Sequence, residues 1–310
     1  MQLDGMHHIT MITGDAPRNV AFYADVLGLR LVKKTVNFDA PEAYHLYYGD
    51  EQGSPGTILT WFEFAGARPS RPGAGMIHTI ELGVPTAASL DFWESRLRDA
   101  GVAVERTDAP ALRLADPDGL ALELVPAVEG NAPLQAAHPD VPAEHAITGV
   151  EGARAYVASD VSRDEALLTD TLGFVRTGAG AYRVDGPTRS FRWSYDLHPE
   201  RGVEGSGTVH HIAWHSADAD HVAWRERAAA AGMLVTPVID RDYFDAIYFR
   251  QPQGVLFEVA TTSPGFAVDE DPAHLGEELR LPTQHEALRP QLERLLTPLE
   301  SPRRVREAVR

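Results

Sequence analysis

The chain contains no cysteine. That excludes disulfides, zinc–thiolate sites, iron–sulfur clusters and thiol nucleophiles, so a bound metal must be held by histidine, aspartate, glutamate or backbone oxygen. Positive charge is scarce as well: 28 lysines and arginines stand against 45 acidic residues, for a formal net charge of −17. A field of that sign repels nucleic acid and anionic membrane surfaces, and neither is expected as a partner. No apolar run approaches the roughly 20 residues of a membrane-crossing helix. The first residues, Met1-Gln2-Leu3-Asp4-Gly5, lack the basic-then-apolar pattern of a secretory signal. The sequence therefore predicts a cytoplasmic protein, and its 310 residues suit about two domains of ordinary size.

What is present is a repeat. A strand, an amphipathic helix, a glycine and further strand candidates recur in four units. Helices are expected near 18–27, 88–100, 163–172 and 218–231, closing at Gly28, Gly101, Gly173 and Gly232. Glycine just past the last turn tolerates the left-handed cap conformation. Thr86 reads as an N-cap, and Ser162 with Glu165 as a capping box. Strands are expected at 44–48, 57–64, 120–125, 181–184, 190–196, 247–250 and 255–261. Asp116-Pro117-Asp118-Gly119 and Gln251-Pro252-Gln253-Gly254 supply turns just before the last strand of units two and four.

The helix ends of units one and three match, as do those of units two and four. The chain thus reads as a duplicated pair of βαβββ modules: an N-terminal pair over 1–135, a linker rich in alanine and proline within 126–147, and a C-terminal pair over 146–264. A tail, 265–310, carries a helix near 284–296 and a frayed end at 301–310. The expected fold class is α+β, with the modules forming paired, curved mixed sheets. This arrangement resembles the architecture of the vicinal oxygen chelate superfamily.

Two of the unit-opening strands carry histidine pairs, Met6-His7-His8-Ile9-Thr10 and Val209-His210-His211-Ile212-Ala213, and the last strand carries Glu258 among Leu256, Phe257 and Val259. Alternate side chains on a strand face opposite ways. His8 and Thr10 then share one face opposite Ile9 and Met11, and His211 shares a face with Ala213 and His215. A lone carboxylate among apolar neighbours needs a cation. Two imidazoles and one carboxylate are the ligand set of the facial triad, which leaves open positions on non-haem Fe(II). His8, His211 and Glu258 are the metal-ligand candidates, preferred over His7 and His210. Aligned without gaps, Ile80 stands in the place of His211, Ala153 in that of His8 and Glu123 in that of Glu258. His78 is offset by two. Units one and four are therefore expected to build a single metal site, with the middle units as scaffold.

Around these residues the chain resembles the ring-cleaving, hydroquinone-type extradiol dioxygenases of the vicinal oxygen chelate superfamily. Besides the two histidine pairs, the resemblance is carried by Tyr44-His45-Leu46-Tyr47-Tyr48-Gly49-Asp50 with Gly53-Ser54-Pro55-Gly56-Thr57, and by Asp240-Arg241-Asp242-Tyr243-Phe244 running on to Glu258. Asp269-Glu270-Asp271-Pro272 with Leu275-Gly276 adds to it. It implies that His8, His211 and Glu258 ligate Fe(II), with Mn(II) as a substitute, and that His7, Thr10, His210, Arg241 and Tyr248 surround the metal. By the same resemblance Tyr248 would meet a phenolate oxygen, Arg241 would balance negative charge, and His7 or His210 would orient a ligand or relay a proton. The implied partners are a small aromatic diol and dioxygen. Trp61, Phe62, Trp193, Tyr243 and Phe244 are candidate walls, and a homodimer is the default assembly.

Two other functions fit the same fold. A glyoxalase-like, metal-dependent isomerase or lyase would need a fourth protein ligand, for which Glu63 is the candidate. A metal-free protein that sequesters an aromatic compound would need none of the triad.

Overall fold

A computed structural model of the protein describes residues 1–303, and 304–310 lie outside the described residues. The expected frayed end thus falls largely beyond them. Its first residues are held in place: Ser301 is buried, and Arg303 Nη2 lies 2.6 Å from Glu51 Oε1.

Each unit opens with a long strand and returns through three further strands. Unit one is β1 (Leu3–Thr13), α1 (Ala16–Val20), β2 (Arg30–Val36), β3 (Tyr44–Gly49) and β4 (Ile58–Glu63). Unit two is β5 (Ile77–Val84), α2 (Ser89–Asp99), β6 (Val104–Arg106), β7 (Leu112–Ala115) and β8 (Ala121–Pro126). Unit three is β9 (Gly149–Val157), a π-type helical turn (Leu167–Thr171), β10 (Val175–Gly178), β11 (Ala181–Asp185) and β12 (Ser190–Leu197). Unit four is β13 (Val209–Ser216), α3 (His221–Ala230), β14 (Ile239–Asp240), β15 (Phe244–Arg250) and β16 (Leu256–Pro264). The closing glycines Gly28, Gly101, Gly173 and Gly232 all have positive φ, between 73 and 86°, as a left-handed helix cap requires.

The N-terminal helix signals fare less well. Asp15 caps α1 by accepting from Arg18 N at 3.0 Å, so that helix starts earlier than expected and continues as a π-type stretch, Ala21–Val26. Thr86 accepts from Ser89 N through its carbonyl at 3.0 Å, and its hydroxyl meets Ser89 Oγ at 3.4 Å rather than capping the helix. The Ser162 hydroxyl bonds Asp160 Oδ1 at 2.7 Å, and the expected capping box is not made.

The strands form two eight-stranded mixed sheets, in the orders β14-β15-β16-β13-β1-β4-β3-β2 and β10-β11-β12-β9-β5-β8-β7-β6. Each sheet takes one unit from either half of the chain, one with four and two with three. The opening strands meet antiparallel at the sheet centre, β1 on β13 and β5 on β9. The last strand of each unit lies parallel beside its own opening strand. One face of each sheet packs into a shared core that takes in all five tryptophans, each no more than 1% exposed. The other face of the first sheet is free to carry polar chemistry. Within the described residues no helix is long and apolar enough to cross a membrane.

The tail straps unit one. Its expected helix resolves into a 3₁₀ stretch, Thr283–Leu288, followed by α4 (Arg289–Leu295). Lys33, fully buried on β2, binds Asp269 Oδ1 at 2.6 Å and the Glu270 carboxylate. Lys34 Nζ donates to the carbonyls of Glu277 at 3.2 Å and Leu299 at 2.7 Å. An ammonium enclosed in protein needs such partners, because an unpaired buried charge is strongly destabilising. The tail acids that contribute to the family resemblance thus serve the fold.

Candidate metal centre

His8, His211 and Glu258 come from three adjacent central strands. His8 on β1 stands opposite Ala213 on β13, and Ala213 lies beside Glu258 on β16. His211 stands opposite Thr10. The three side chains are buried, and one ligand atom from each lies within 4.8 Å of the other two. His8 Nε2 is 3.2 Å from His211 Nε2. These nitrogens lie 3.4 and 2.9 Å from Glu258 Oε2.

Such a cluster fits a cation. Glu258 is wholly enclosed, yet neither of its oxygens has a well-formed hydrogen bond from a described residue. Burial alone would raise this carboxyl, but His8 and His211 hold it well below the usual carboxylate range. Burial lowers the His211 imidazole against the pull of Glu258.

The first histidine of each pair explains how the ligand nitrogens are aimed. The β1–β13 register skips a residue on β1 between Met6 and His8, and one on β13 between His211 and Val209. The skipped residues are His7 and His210. Each sits at a β-bulge, which re-aims side chains that strict alternation would send to the opposite face. His7 Nδ1 meets His8 Nδ1 at 2.9 Å, and His210 Nδ1 meets His211 Nδ1 at 2.7 Å. Each ligand candidate is therefore gripped through Nδ1, leaving Nε2 directed at the centre. His7 also bonds the Thr261 backbone, and burial lowers its imidazole. His210 reaches solvent, and burial beside His211 pushes it down to about 3. Strict alternation, which would set His7 and His210 on the faces opposite His8 and His211, is broken by the bulges at both positions.

A cavity of about 270 Å³ opens beside Glu258. Tyr248, opposite Glu258 in the β15–β16 ladder, lines it, as does Arg241. Arg241 Nε donates to the Tyr248 hydroxyl at 3.3 Å. Burial and the Glu258 charge raise Tyr248 far above its ordinary value despite Arg241, so the phenol keeps its proton at neutral pH. Burial works against the Arg241 guanidinium, but Tyr248, Asp39 and Glu258 together raise it. Thr10 accepts from the Thr60 hydroxyl at 2.9 Å, and Thr60 in turn meets His45 Nε2 at 2.9 Å. Of the expected walls, Phe62 and Phe244 line the cavity; Trp61 and Trp193 lie in the core, and Tyr243 packs against Phe266 of the tail. Sequence reasoning missed Phe38, Asp39, His45 and Phe64 as lining residues. His45 lay inside the resemblance motif, whereas the loop with Phe38 and Asp39 carried no local signal. Glu63 points away, accepting from Ala16 N at 2.9 Å.

The second sheet repeats this geometry with other residues. Glu81 pairs with both Gly152 and Glu123, as Ala213 pairs with both His8 and Glu258. By that register Gly152 stands in the place of His8, Thr79 in that of His211, and His78, again a skipped residue, in that of His210. This corrects the ungapped alignment, which put Ala153 and Ile80 there. Arg113 occupies the place of Tyr248, and Arg154 that of Thr10. Arg113 Nη2 and Arg154 Nη2 reach Glu123 Oε1 at 3.0 and 3.2 Å. The retained carboxylate thus has two guanidinium groups where Glu258 has none.

The chain belongs to the glyoxalase/bleomycin resistance protein/dioxygenase superfamily, whose model matches residues 5–124. It is 44% identical to the "Putative ring-cleaving dioxygenase MhqO" of Bacillus subtilis (strain 168), over 96% of each chain. It is 33% identical to the chlorohydroquinone/hydroquinone 1,2-dioxygenase of Sphingobium indicum, over 95% of this chain and 96% of that one. A crystal structure of a Bacillus subtilis protein described as a "putative dioxygenase" superposes with a TM-score of 0.88 at 41% identity, covering 96% of this chain and 98% of the other. Glyoxalase I from Zea mays shares the fold, with a TM-score of 0.59 at 14% identity over 84% of this chain and 92% of that one.

Proposed function

We propose that the protein is an Fe(II)-dependent, extradiol-type ring-cleaving dioxygenase that inserts both atoms of O2 into a hydroquinone- or catechol-type aromatic. His8, His211 and Glu258 would hold the iron, with Mn(II) as a substitute. The observation that carries the reading is the enclosed Glu258 carboxylate, facing two imidazole nitrogens whose other ring nitrogens are already engaged. The names of relatives aligned over nearly the whole chain support it.

Ferrous iron bound there would supply the redox coupling between an electron-rich diphenolate and dioxygen. The chain's own residues do the rest. The protonated Tyr248 hydroxyl, beside Glu258, donates to a phenolate oxygen of the bound ring. Arg241 stabilises negative charge on that oxygen and holds the Tyr248 ring in position. His210, which lines the cavity and reaches solvent, holds His211 through Nδ1 and stays neutral, so its part is to orient that imidazole. Thr10, opposite His211 in the β1–β13 ladder, is held by the Thr60 hydroxyl. Phe62, Phe64 and Phe244 keep the ring edge dry. An isomerase reading is weaker, because Glu63, its candidate fourth ligand, is engaged at the start of α1.

The test is oxygen uptake by iron-reconstituted protein with hydroquinone and with catechol. One O2 consumed per ring opened is the expected result, abolished in Tyr248→Phe/Arg241→Ala. Rearrangement of a substrate without oxygen consumption would contradict the reading.

A further inference from the structure

Asp39 lines the cavity while its side chain is 79% exposed, which places it on the rim. Its Oδ2 lies 3.3 Å from Arg241 Nη1. The backbone on either side is fixed: Asn37 Oδ1 accepts from Asp39 N at 2.8 Å, and the Phe38 carbonyl meets Gln284 Nε2 at 2.9 Å and His285 Nε2 at 2.8 Å. The backbone that carries the carboxylate is thus fixed at the rim by its own loop and by the tail.

The rest of the wall offers an incoming anion little. Among the described lining residues Arg241 is the only lysine or arginine, and it is already shared between Tyr248 and Asp39. His45 has both nitrogens engaged, Nε2 with Thr60 and Nδ1 with the Tyr47 hydroxyl at 2.9 Å. The remaining lining is mostly aromatic (Phe38, Phe62, Phe64 and Phe244); of its polar members, Asn37 Oδ1 is taken by the Asp39 and Ala40 amides, the Tyr47 hydroxyl bonds His45 and His210 Nδ1 bonds His211. A substituent pointing away from Glu258 therefore meets apolar surface or a negative charge, and a carboxylate buried there would lack a partner.

We propose that Asp39 is a specificity-determining residue that rejects diphenols bearing a carboxylate and leaves uncharged rings, with or without apolar substituents, as the substrate class. This rests on the dioxygenase reading and narrows it. The device is repulsive: discrimination comes from an unfavourable contact with the wrong ligand. Because Asp39 is exposed, its effect is screened by salt and amounts to about fivefold at low ionic strength.

The test compares wild type with Asp39→Asn and Asp39→Ala, using hydroquinone, 2,5-dihydroxybenzoate and 2,5-dihydroxyphenylacetate. The quantity read is the ratio of kcat/KM for hydroquinone to that for each acid. Both variants should lower it about fivefold, through KM for the acids, and the difference from wild type should shrink at about 0.5 M salt. An unchanged ratio, or a change that salt leaves untouched, would overturn the assignment. Anaerobic binding of the same three rings to the iron-loaded protein gives the same ratio as dissociation constants. It judges Asp39 even if no ring is turned over, an outcome that would sink the dioxygenase reading alone.

Discussion

At the scale of single residues, the site depends on how two imidazoles are held as much as on which residues they belong to. That His8, His211 and Glu258 meet was legible because a polar trio stands out on otherwise apolar strands. The orientation of His7 and His210 was not, because alternation assumes an unbroken ladder and both residues sit where the ladder slips by one. That slip lets one imidazole grip the next, Nδ1 to Nδ1, at 2.9 and 2.7 Å. Groups that orient a metal ligand in this way commonly contribute 10- to 100-fold to metal affinity. His7→Ala is therefore expected to weaken iron binding by about that factor while the protein stays folded. Competition with a ferrous chelator measures it, and unchanged affinity would mean that the His7 contact does not position His8.

At the scale of elements, the repeat announced itself through glycine. Four helix ends share one cap, and a helix cannot continue through a residue held at positive φ, so those boundaries were readable. Helix starts were harder, since Asp15 rather than a later residue opens α1, and the π-type stretches at Ala21–Val26 and Leu167–Thr171 have the same side-chain pattern as α-helix.

The turn before β8 shows a cost carried by one element. Asp116 accepts from Leu120 N at 2.8 Å, Asp118 N at 2.9 Å and the Tyr23 hydroxyl at 2.9 Å. Burial nevertheless pushes its carboxyl up to about 6. A raised folded-state value means that between roughly pH 4 and 6 the folded chain keeps a proton the unfolded chain has released, so this group's contribution to stability falls as pH rises through that window. The loss is on the order of 3 kcal/mol by pH 7. Asp116→Asn should lack that component, so wild type should compare best with the variant near pH 4 and worst near pH 7 in urea unfolding. Parallel pH profiles would refute the assignment.

At the scale of the whole molecule, the chain is a duplicated pair whose sheets join unit one to four and two to three. Sequence order alone does not reveal that pairing, since neighbouring units could as well share a sheet. It was hinted at by the chemistry, because the two histidine pairs lie at opposite ends of the repeat. The pairing brings those pairs to the centre of one sheet and leaves the other sheet with the same backbone plan but different side chains. There Arg113 and Arg154 neutralise Glu123, and glycine and threonine stand where the imidazoles would be. One carboxylate therefore faces two imidazoles with no guanidinium beside it, and the other has its own cations.

The most direct test of that asymmetry is the iron content of anaerobically reconstituted wild type, Glu258→Ala and Glu123→Ala. The account predicts stoichiometric iron in wild type and Glu123→Ala, and loss of most of it in Glu258→Ala. Equal loss in the two variants, or full iron in Glu258→Ala, would contradict it.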